Sequence, residues 1–350
     1  MKIQKMKAAI LVEQNKKLEI DEVELPKELS FGQVLVKVEY SGICGSQIGE
    51  IDGVKGPDNY LPHLLGHEGS GIVIDIGPGV KNVNIDDKVV LHWREGKGIS
   101  SDLPKYKWKN KNLNAGWVTT FNEYGIISEN RCTSIPKNTD LKIASLFGCA
   151  VLTGFGVIEN NAKLKIGESV VVFGSGGIGL NIIQAAKLVS ANPIIALDIY
   201  DNRLDLAKSI GATHTINTLK NDAEKSINRI ISGKDLDLFV DNTGNPKIIE
   251  LGYKIICSTG RVVLVGVPSI NNNINIFSLP IHFGKKLVGS HGGNGVPEND
   301  IPRYLSIFEN GKFELDKLLT DEFELNDINN AIKLMRNGEI AGRCLINMSK

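Results

Sequence analysis

Val170-Val171-Val172-Phe173-Gly174-Ser175-Gly176-Gly177-Ile178-Gly179 carries an apolar run straight into spaced glycines, and a helical pattern follows from Leu180 to Val189. The order of strand, turn and helix recurs at Pro193 to Asp198 with Arg203 to Ile210. Further strands fit Asp237 to Asp241, Arg261 to Val265 and Lys286 to Gly289. Apolar strands alternating with amphipathic helices predict an α/β domain, a doubly wound parallel sheet wrapped by helices.

The glycines of this stretch have separate tasks. Gly174 permits the turn, Gly176 lets a pyrophosphate approach the backbone, and Gly179 lets the helix pack on the strand. Gly177 and Ile178 open the helix, so its unpaired N–H groups and partial positive charge face the phosphates. Ile194-Ile195-Ala196-Leu197-Asp198 then places an acid roughly 20 residues further on, where it accepts hydrogen bonds from adenosine ribose hydroxyls. A carboxylate there repels a 2′-phosphate, so NAD is expected over NADP. Arg203, one turn into the next helix, either covers the adenosine or is a solvated helix charge. The competing reading of the whole stretch is a glycine-rich turn that binds no dinucleotide.

Working outward, the chain from residue 5 to about 135 is short β-type runs broken by glycine and charged turns: Lys7 to Val12, Gln33 to Tyr40, Gly71 to Ile76 and Lys88 to Leu91. Helical periodicity is nearly absent there, which predicts a β-rich domain. The last 60 residues suggest two helices, Ile301 to Asn310 and Ile328 to Met335, and a closing strand around Arg343 to Met348. A chain of 350 residues exceeds one comfortable core and divides into two domains. Forty basic and forty acidic residues remove the electrostatic case for nucleic acid or an anionic membrane and favour a small-molecule partner. Five scattered cysteines without a CxxC pair argue for a reducing compartment. The apolar run Ala8 to Val12 is too short for a signal-peptide core, and no stretch reaches the roughly 20 apolar residues of a membrane span, so a cytoplasmic location is expected.

The first half also holds residues of metal-ligand type: Cys44, His67 followed by Glu68, and Cys149. Separations of 23 and 82 residues are too long for a zinc finger, so a folded domain must assemble such a site. Three protein ligands around zinc would leave a fourth position for substrate, the mark of a catalytic site.

Taken together, the chain resembles the zinc-dependent alcohol dehydrogenases of the medium-chain dehydrogenase/reductase family over nearly its whole length. The matching stretches are Gly42-Ile43-Cys44-Gly45-Ser46, Leu65-Gly66-His67-Glu68-Gly69-Ser70-Gly71, Asp86-Asp87-Lys88-Val89, Gly148-Cys149-Ala150-Val151-Leu152-Thr153-Gly154, the glycine-rich stretch, and Val240-Asp241-Asn242-Thr243-Gly244. The resemblance implies a GroES-like catalytic domain over 1–154, a Rossmann domain over 155–290, and a return to the catalytic domain over 291–350. It implies that Cys44, His67 and Cys149 bind the catalytic zinc and that Glu68 approaches it. Ser46 matches the hydroxyl that bonds the substrate oxygen and passes its proton outward, and Trp93 a wall of the substrate pocket, although a core tryptophan fits as well. For the cofactor, the resemblance implies Thr153 beside the nicotinamide ring, Thr243 as a further cofactor-binding residue, Val265, Gly266 and Val267 at the carboxamide, and Arg343 at the pyrophosphate. It further implies a homodimer or homotetramer formed through the sheet edge around Arg261 to Gly289.

The chain departs from the family pattern in three places. Many members bind a structural zinc through four cysteines after the Asp-Lys-Val motif, but Trp93 to Val118 contains none, so one metal per chain is expected. Gly49 stands where some members place a relay histidine. Gln47 replaces the acid that usually orients the zinc-bound histidine. The run Lys105-Tyr106-Lys107-Trp108-Lys109-Asn110-Lys111 reads either as a solvated loop or as a surface for an anionic substrate such as a phosphorylated sugar alcohol. The expected activity is hydride transfer between NAD(H) and an alcohol, aldehyde or ketone. The rivals are a polyol or sugar dehydrogenase on the same scaffold and a non-enzymatic dinucleotide sensor.

Overall fold

The computed structural model describes residues 3–349. The chain forms two compact units, one of residues 1–149, 296–306 and 319–350, the other of residues 150–295 and 307–318.

Among the described residues, the first unit holds two sheets. One has the order β4 (His63–Leu64), β1 (Lys5–Leu11), β2 (Glu19–Glu24), β7 (Tyr106–Trp108), β8 (Lys111–Leu113). The other runs β10 (Cys132–Ile135), β6 (Lys88–His92), β5 (Glu68–Ile76), β3 (Gln33–Gly42), β18 (Arg343–Asn347), β17 (Leu319–Glu324), with β9 (Tyr124–Ser128) also on β3. Successive side chains of a strand point to opposite faces. Accordingly Val34, Val36 and Val38 enter one apolar cluster and Leu35 a second. The C-terminal strand returns to this unit by pairing Leu345 with Gly42.

The second unit is built on a parallel sheet of order β13 (His214–Asn217), β12 (Ile194–Asp198), β11 (Val170–Phe173), β14 (Leu238–Asp241), β15 (Arg261–Leu264), β16 (Lys286–Gly289). Every residue of β11, β12 and β14 is buried, as a sheet covered on both faces requires. The chain leaves β11 toward β12 and later returns to the other side of β11 with β14. That reversal opens a crevice at the carboxyl ends of the strands, where ligands of such sheets bind.

Residues 307–318, expected in the segment returning to the catalytic domain, belong to the second unit. Phe313 packs on Phe155 with ring centroids 4.7 Å apart, and the Glu314 N–H donates to Gln184 Oε1. The units divide after Cys149 and after Gly295 rather than at 154 and 290. The helix Ala150–Gly156 is buried throughout, and a Cβ on its Gly154 would lie 2.6 Å from Asn181 Cβ in the helix Gly177–Leu188. That packing assigns the helix to the second unit. No single helix among the described residues is long and apolar enough to cross a membrane.

The cysteine-free lobe after β6 is organised by a carboxylate. Glu129 is 1% exposed, and its oxygens accept the backbone N–H groups of Lys81, Asn82 and Ile99 and the Asn82 side-chain amide. Burial pushes its pKa up, and these hydrogen bonds more than offset that, so the carboxyl stays below its ordinary value. The basic run 105–111 is not a loop, and its Lys105, Lys107 and Lys111 stay exposed. It is the hairpin of β7 and β8, with Tyr106 and Trp108 in the apolar core. Trp108 Nε1 donates to Asp21, while Lys109 lies over the Trp108 ring and pairs with Glu19. Glu129→Gln removes the charge and leaves donors facing donors, at a cost of about 1–3 kcal/mol. Amide exchange at Lys81, Asn82 and Ile99 is expected to accelerate, and unchanged exchange there would show that Glu129 does not hold the lobe.

Candidate active site

The three ligand-type residues reach one place by different routes, all within the first unit. Cys44 follows β3 as the N-cap of the helix Gly45–Ile51. That helix was not expected from sequence, because seven residues with two glycines carry almost no 3.6-residue pattern. His67 immediately precedes β5, after Gly66 with φ +95°, where a Cβ would lie 2.3 Å from Thr120 Oγ1. Cys149 follows Gly148, whose own Cβ would lie 2.1 Å from the Leu91 carbonyl oxygen on β6. Both glycines are therefore fixed by close approach, and each aims the residue after it.

The ligand atoms of Cys44, His67 and Cys149 all lie within 4.8 Å of one another. Around a tetrahedral zinc, sulfur and imidazole nitrogen ligands stand about 3.5–3.8 Å apart, so small side-chain adjustments close the set. Two further features fit the ion. His67 Nε2 is buried without a hydrogen-bond partner among the described residues. The Cys44 thiol is held well below its ordinary pKa, first by a hydrogen bond with Cys149 and also by His67 and Arg343, against the effect of burial. A second group, Glu50, Asp58 and His63, also converges, but there His63 Nε2 and Asp58 already meet at 2.7 Å.

The surrounding residues differ in part from expectation. Ser46 is half-buried and its hydroxyl donates to Cys44 Sγ at 3.3 Å. Trp93 lies beside the ligand set, its ring centroid 6.4 Å from that of His67 and under the Arg94 guanidinium. Gln47 is 2% exposed, and the amide orientation that satisfies its neighbours turns the carboxamide oxygen to the backbone N–H groups of Gly66, at 2.6 Å, and His67, at 3.1 Å. It thus fixes the main chain of the ligand loop. Glu68 is completely buried and pairs with Arg343 instead of joining the converging ligand atoms. Arg343, expected at a cofactor pyrophosphate, is 3% exposed, with its guanidinium against Glu68 and beside Cys44. Sequence reasoning missed this pair because nothing local connects positions 68 and 343. They meet only because β18 lies next to β3 and β3 next to β5.

In the second unit the glycine-rich turn has the form its spacing predicts. A Cβ on Gly179 would fall 2.0 Å from the Gly174 carbonyl oxygen, whereas one on Gly176 would meet nothing within 4 Å. The space before Gly176 suits a ligand, and the helix Gly177–Leu188 begins there without a side-chain cap. Asp198 is 4% exposed and accepts the backbone N–H groups of Ser175, Ile199 and Tyr200. A carboxylate has about four acceptor positions, so roughly one remains for a ligand. Arg203 is neither fully solvated nor isolated: it lies over the Tyr200 ring and 3.8 Å from Asp198. Thr153 is buried on the helix Ala150–Gly156, while Thr243 and Val267 are exposed at the ends of β14 and β15, flanking half-buried Val265 and Gly266.

Comparison with known proteins agrees with this geometry. Residues 30–137 match the alcohol dehydrogenase GroES-like domain and residues 177–310 the zinc-binding dehydrogenase family. The chain is 30% identical to an S-(hydroxymethyl)glutathione dehydrogenase of Synechocystis sp., covering 96% of this chain and 98% of that one. It is 32% identical to alcohol dehydrogenase 6 of Peromyscus maniculatus, covering 99% and 98%. Among solved structures it resembles the benzyl alcohol dehydrogenase of Acinetobacter calcoaceticus, with TM-score 0.89, 28% identity and coverage of 99% and 100%. The chain belongs to the zinc-dependent alcohol dehydrogenases of the medium-chain dehydrogenase/reductase family. It is accordingly a zinc-dependent alcohol oxidoreductase.

Removing one member of a buried ion pair leaves the other charge uncompensated, at about 3–5 kcal/mol. Glu68→Gln and Arg343→Met are each expected to lower stability by about that amount in urea unfolding, and the double variant by much less than their sum. Additive losses would contradict a pair in which each charge exists for the other.

Proposed function

We propose that this chain is an NAD-linked dehydrogenase that interconverts an alcohol with its aldehyde or ketone, using one zinc ion per chain. The observation that carries the reading is the convergence of Cys44, His67 and Cys149, with His67 Nε2 buried and unpartnered. When bound, zinc supplies Lewis-acid polarisation of a substrate oxygen, which favours the alkoxide near neutral pH. Ser46 has a half-buried hydroxyl that a rotation about χ1 frees from Cys44 for the substrate oxygen and its proton. Glycine at position 49 supplies no side chain to carry that proton further. Trp93 offers an aromatic wall next to His67. Gln47 holds the Gly66–His67 main chain, so the imidazole needs little reorganisation to meet the ion.

NAD is favoured because Asp198 places a buried carboxylate at the end of β12, where a 2′-phosphate would be repelled. The reading for a phosphorylated sugar rested on the basic run 105–111, and Tyr106, Trp108 and Lys109 are engaged in folding. The names of relatives add S-(hydroxymethyl)glutathione to the compounds worth testing. We further infer a cytoplasmic homo-oligomer without nucleic-acid or membrane partners. β16 is a sheet edge, and Phe277, Leu279, Ile281 and Phe283 beside it in sequence are large exposed apolar residues that a second copy would cover.

The zinc-loaded protein is expected to raise absorbance at about 340 nm with NAD and a panel of primary alcohols, polyols and S-(hydroxymethyl)glutathione, and to respond weakly to NADP. Asp198→Asn removes the charge and keeps an acceptor for the Ile199 and Tyr200 N–H groups while its NH₂ faces the Ser175 N–H, so beside a loss of stability the preference for NAD should fall about tenfold, or about 1.4 kcal/mol. No absorbance change with any alcohol or carbonyl would remove the enzyme reading. Unchanged discrimination in Asp198→Asn would show that another group selects the cofactor.

A further inference from the structure

Asp241 closes β14 and is 0% exposed, yet it is an acid with no basic partner among its recorded contacts. Burial pushes its carboxyl pKa upward, opposed only by hydrogen bonds. Oδ1 accepts the Thr243 N–H at 3.0 Å and the Thr243 hydroxyl at 2.6 Å, and Oδ2 accepts the Gly244 N–H at 2.9 Å. The Asp241 main-chain carbonyl accepts the N–H groups of Val265 and Gly266, at 2.8 and 3.0 Å. One residue later, the Asn242 N–H donates to the Phe173 carbonyl and its side-chain amide to that of Gly174. Asp241 thus joins the turn 242–244 to the strand end 265–267, and its neighbour joins that turn to the glycine-rich loop.

The junction has almost no freedom to shift. A Cβ on Gly266 would lie 2.3 Å from the Gly244 nitrogen and 2.6 Å from that of Thr243. The sheet order says what lies against it. In a doubly wound sheet a dinucleotide spans the crevice with one mononucleotide half on each side of the reversal. The acid-bearing β12 takes the adenosine side, which leaves the carboxyl ends of β14 and β15 to the other half. We propose that Asp241 is a positioning residue for the nicotinamide half of the cofactor: its carboxylate freezes the turn 241–244, and its main-chain carbonyl fastens that turn to the strand end at Val265 and Gly266. The assignment rests on the dinucleotide reading above. Asparagine cannot replace the acid, because its NH₂ would face either the Gly244 N–H or the Thr243 donors.

Isothermal titration of Asp241→Asn with NADH and with ADP-ribose, which lacks nicotinamide, tests this. NADH binding is expected to weaken about tenfold, with ADP-ribose within about twofold of the parent protein. Thr243→Val, which removes one of the three donors to the carboxylate and keeps the other two, should weaken NADH by about threefold and spare ADP-ribose. Unchanged NADH affinity in both variants would overturn the proposal, and so would equal losses for the two ligands, which mean general damage to the domain. If the parent protein bound neither ligand, the dinucleotide reading would fall and the role of Asp241 with it.

Discussion

A buried negative charge cannot persist without compensation, and the catalytic half of this chain is arranged around that constraint. Cys44 and Cys149 present sulfur in a region each shares with less than a twentieth of its surface exposed. Cys44 is driven toward thiolate there. A zinc ion held at the converging atoms would supply the positive charge, with His67 completing the protein's donor set. Arg343 lies alongside as a second cation, and its own burial is tolerated because Glu68 neutralises it. With the metal bound, charges would alternate from metal to thiolate to guanidinium to carboxylate, each stabilising the next. The pieces come from β3, β5, β18 and the turn before Cys149, so the site exists only when the mixed sheet is complete.

The second unit solves a different problem, holding loop segments still at the open end of a sheet. Its means are backbone hydrogen bonds to two buried acids on either side of β11. Asp198 ties the glycine-rich loop to the end of β12 through the Ser175 N–H. Asp241 ties the turn after β14 to the end of β15. Both acids face main-chain N–H groups, so their charge becomes local order where a flexible ligand must be gripped.

Much of this was legible in the sequence where the signal is local. The stretch Val170 to Gly179, the strand ending at Asp198 and the strand Lys286–Gly289 lie where periodicity and glycine spacing put them. The ligand trio was legible because each member sits within a recognisable motif. What escaped was made by tertiary contact. The helices Ala223–Ile231 and Pro246–Ile255 went unassigned although each is capped by a side chain, Asp222 and Asn245. The pairing of positions 68 and 343, and the use of Gln47 on backbone rather than on the imidazole, depend on strands that meet only in the folded sheet. The run 105–111 read as a loop because its charges dominate the sequence, whereas its aromatic residues determine the hairpin.

The account stands or falls on Cys44, His67 and Cys149 forming one metal site. Replacing the metal by cobalt and recording the visible spectrum together with the metal content tests it most directly. The expected result is one equivalent per chain, with tetrahedral ligand-field bands and a thiolate-to-cobalt charge-transfer band that falls to about half its intensity in Cys149→Ser, where Cys44 remains the one sulfur ligand. An octahedral spectrum without thiolate bands, or the same spectrum in the Cys149 variant, would contradict it.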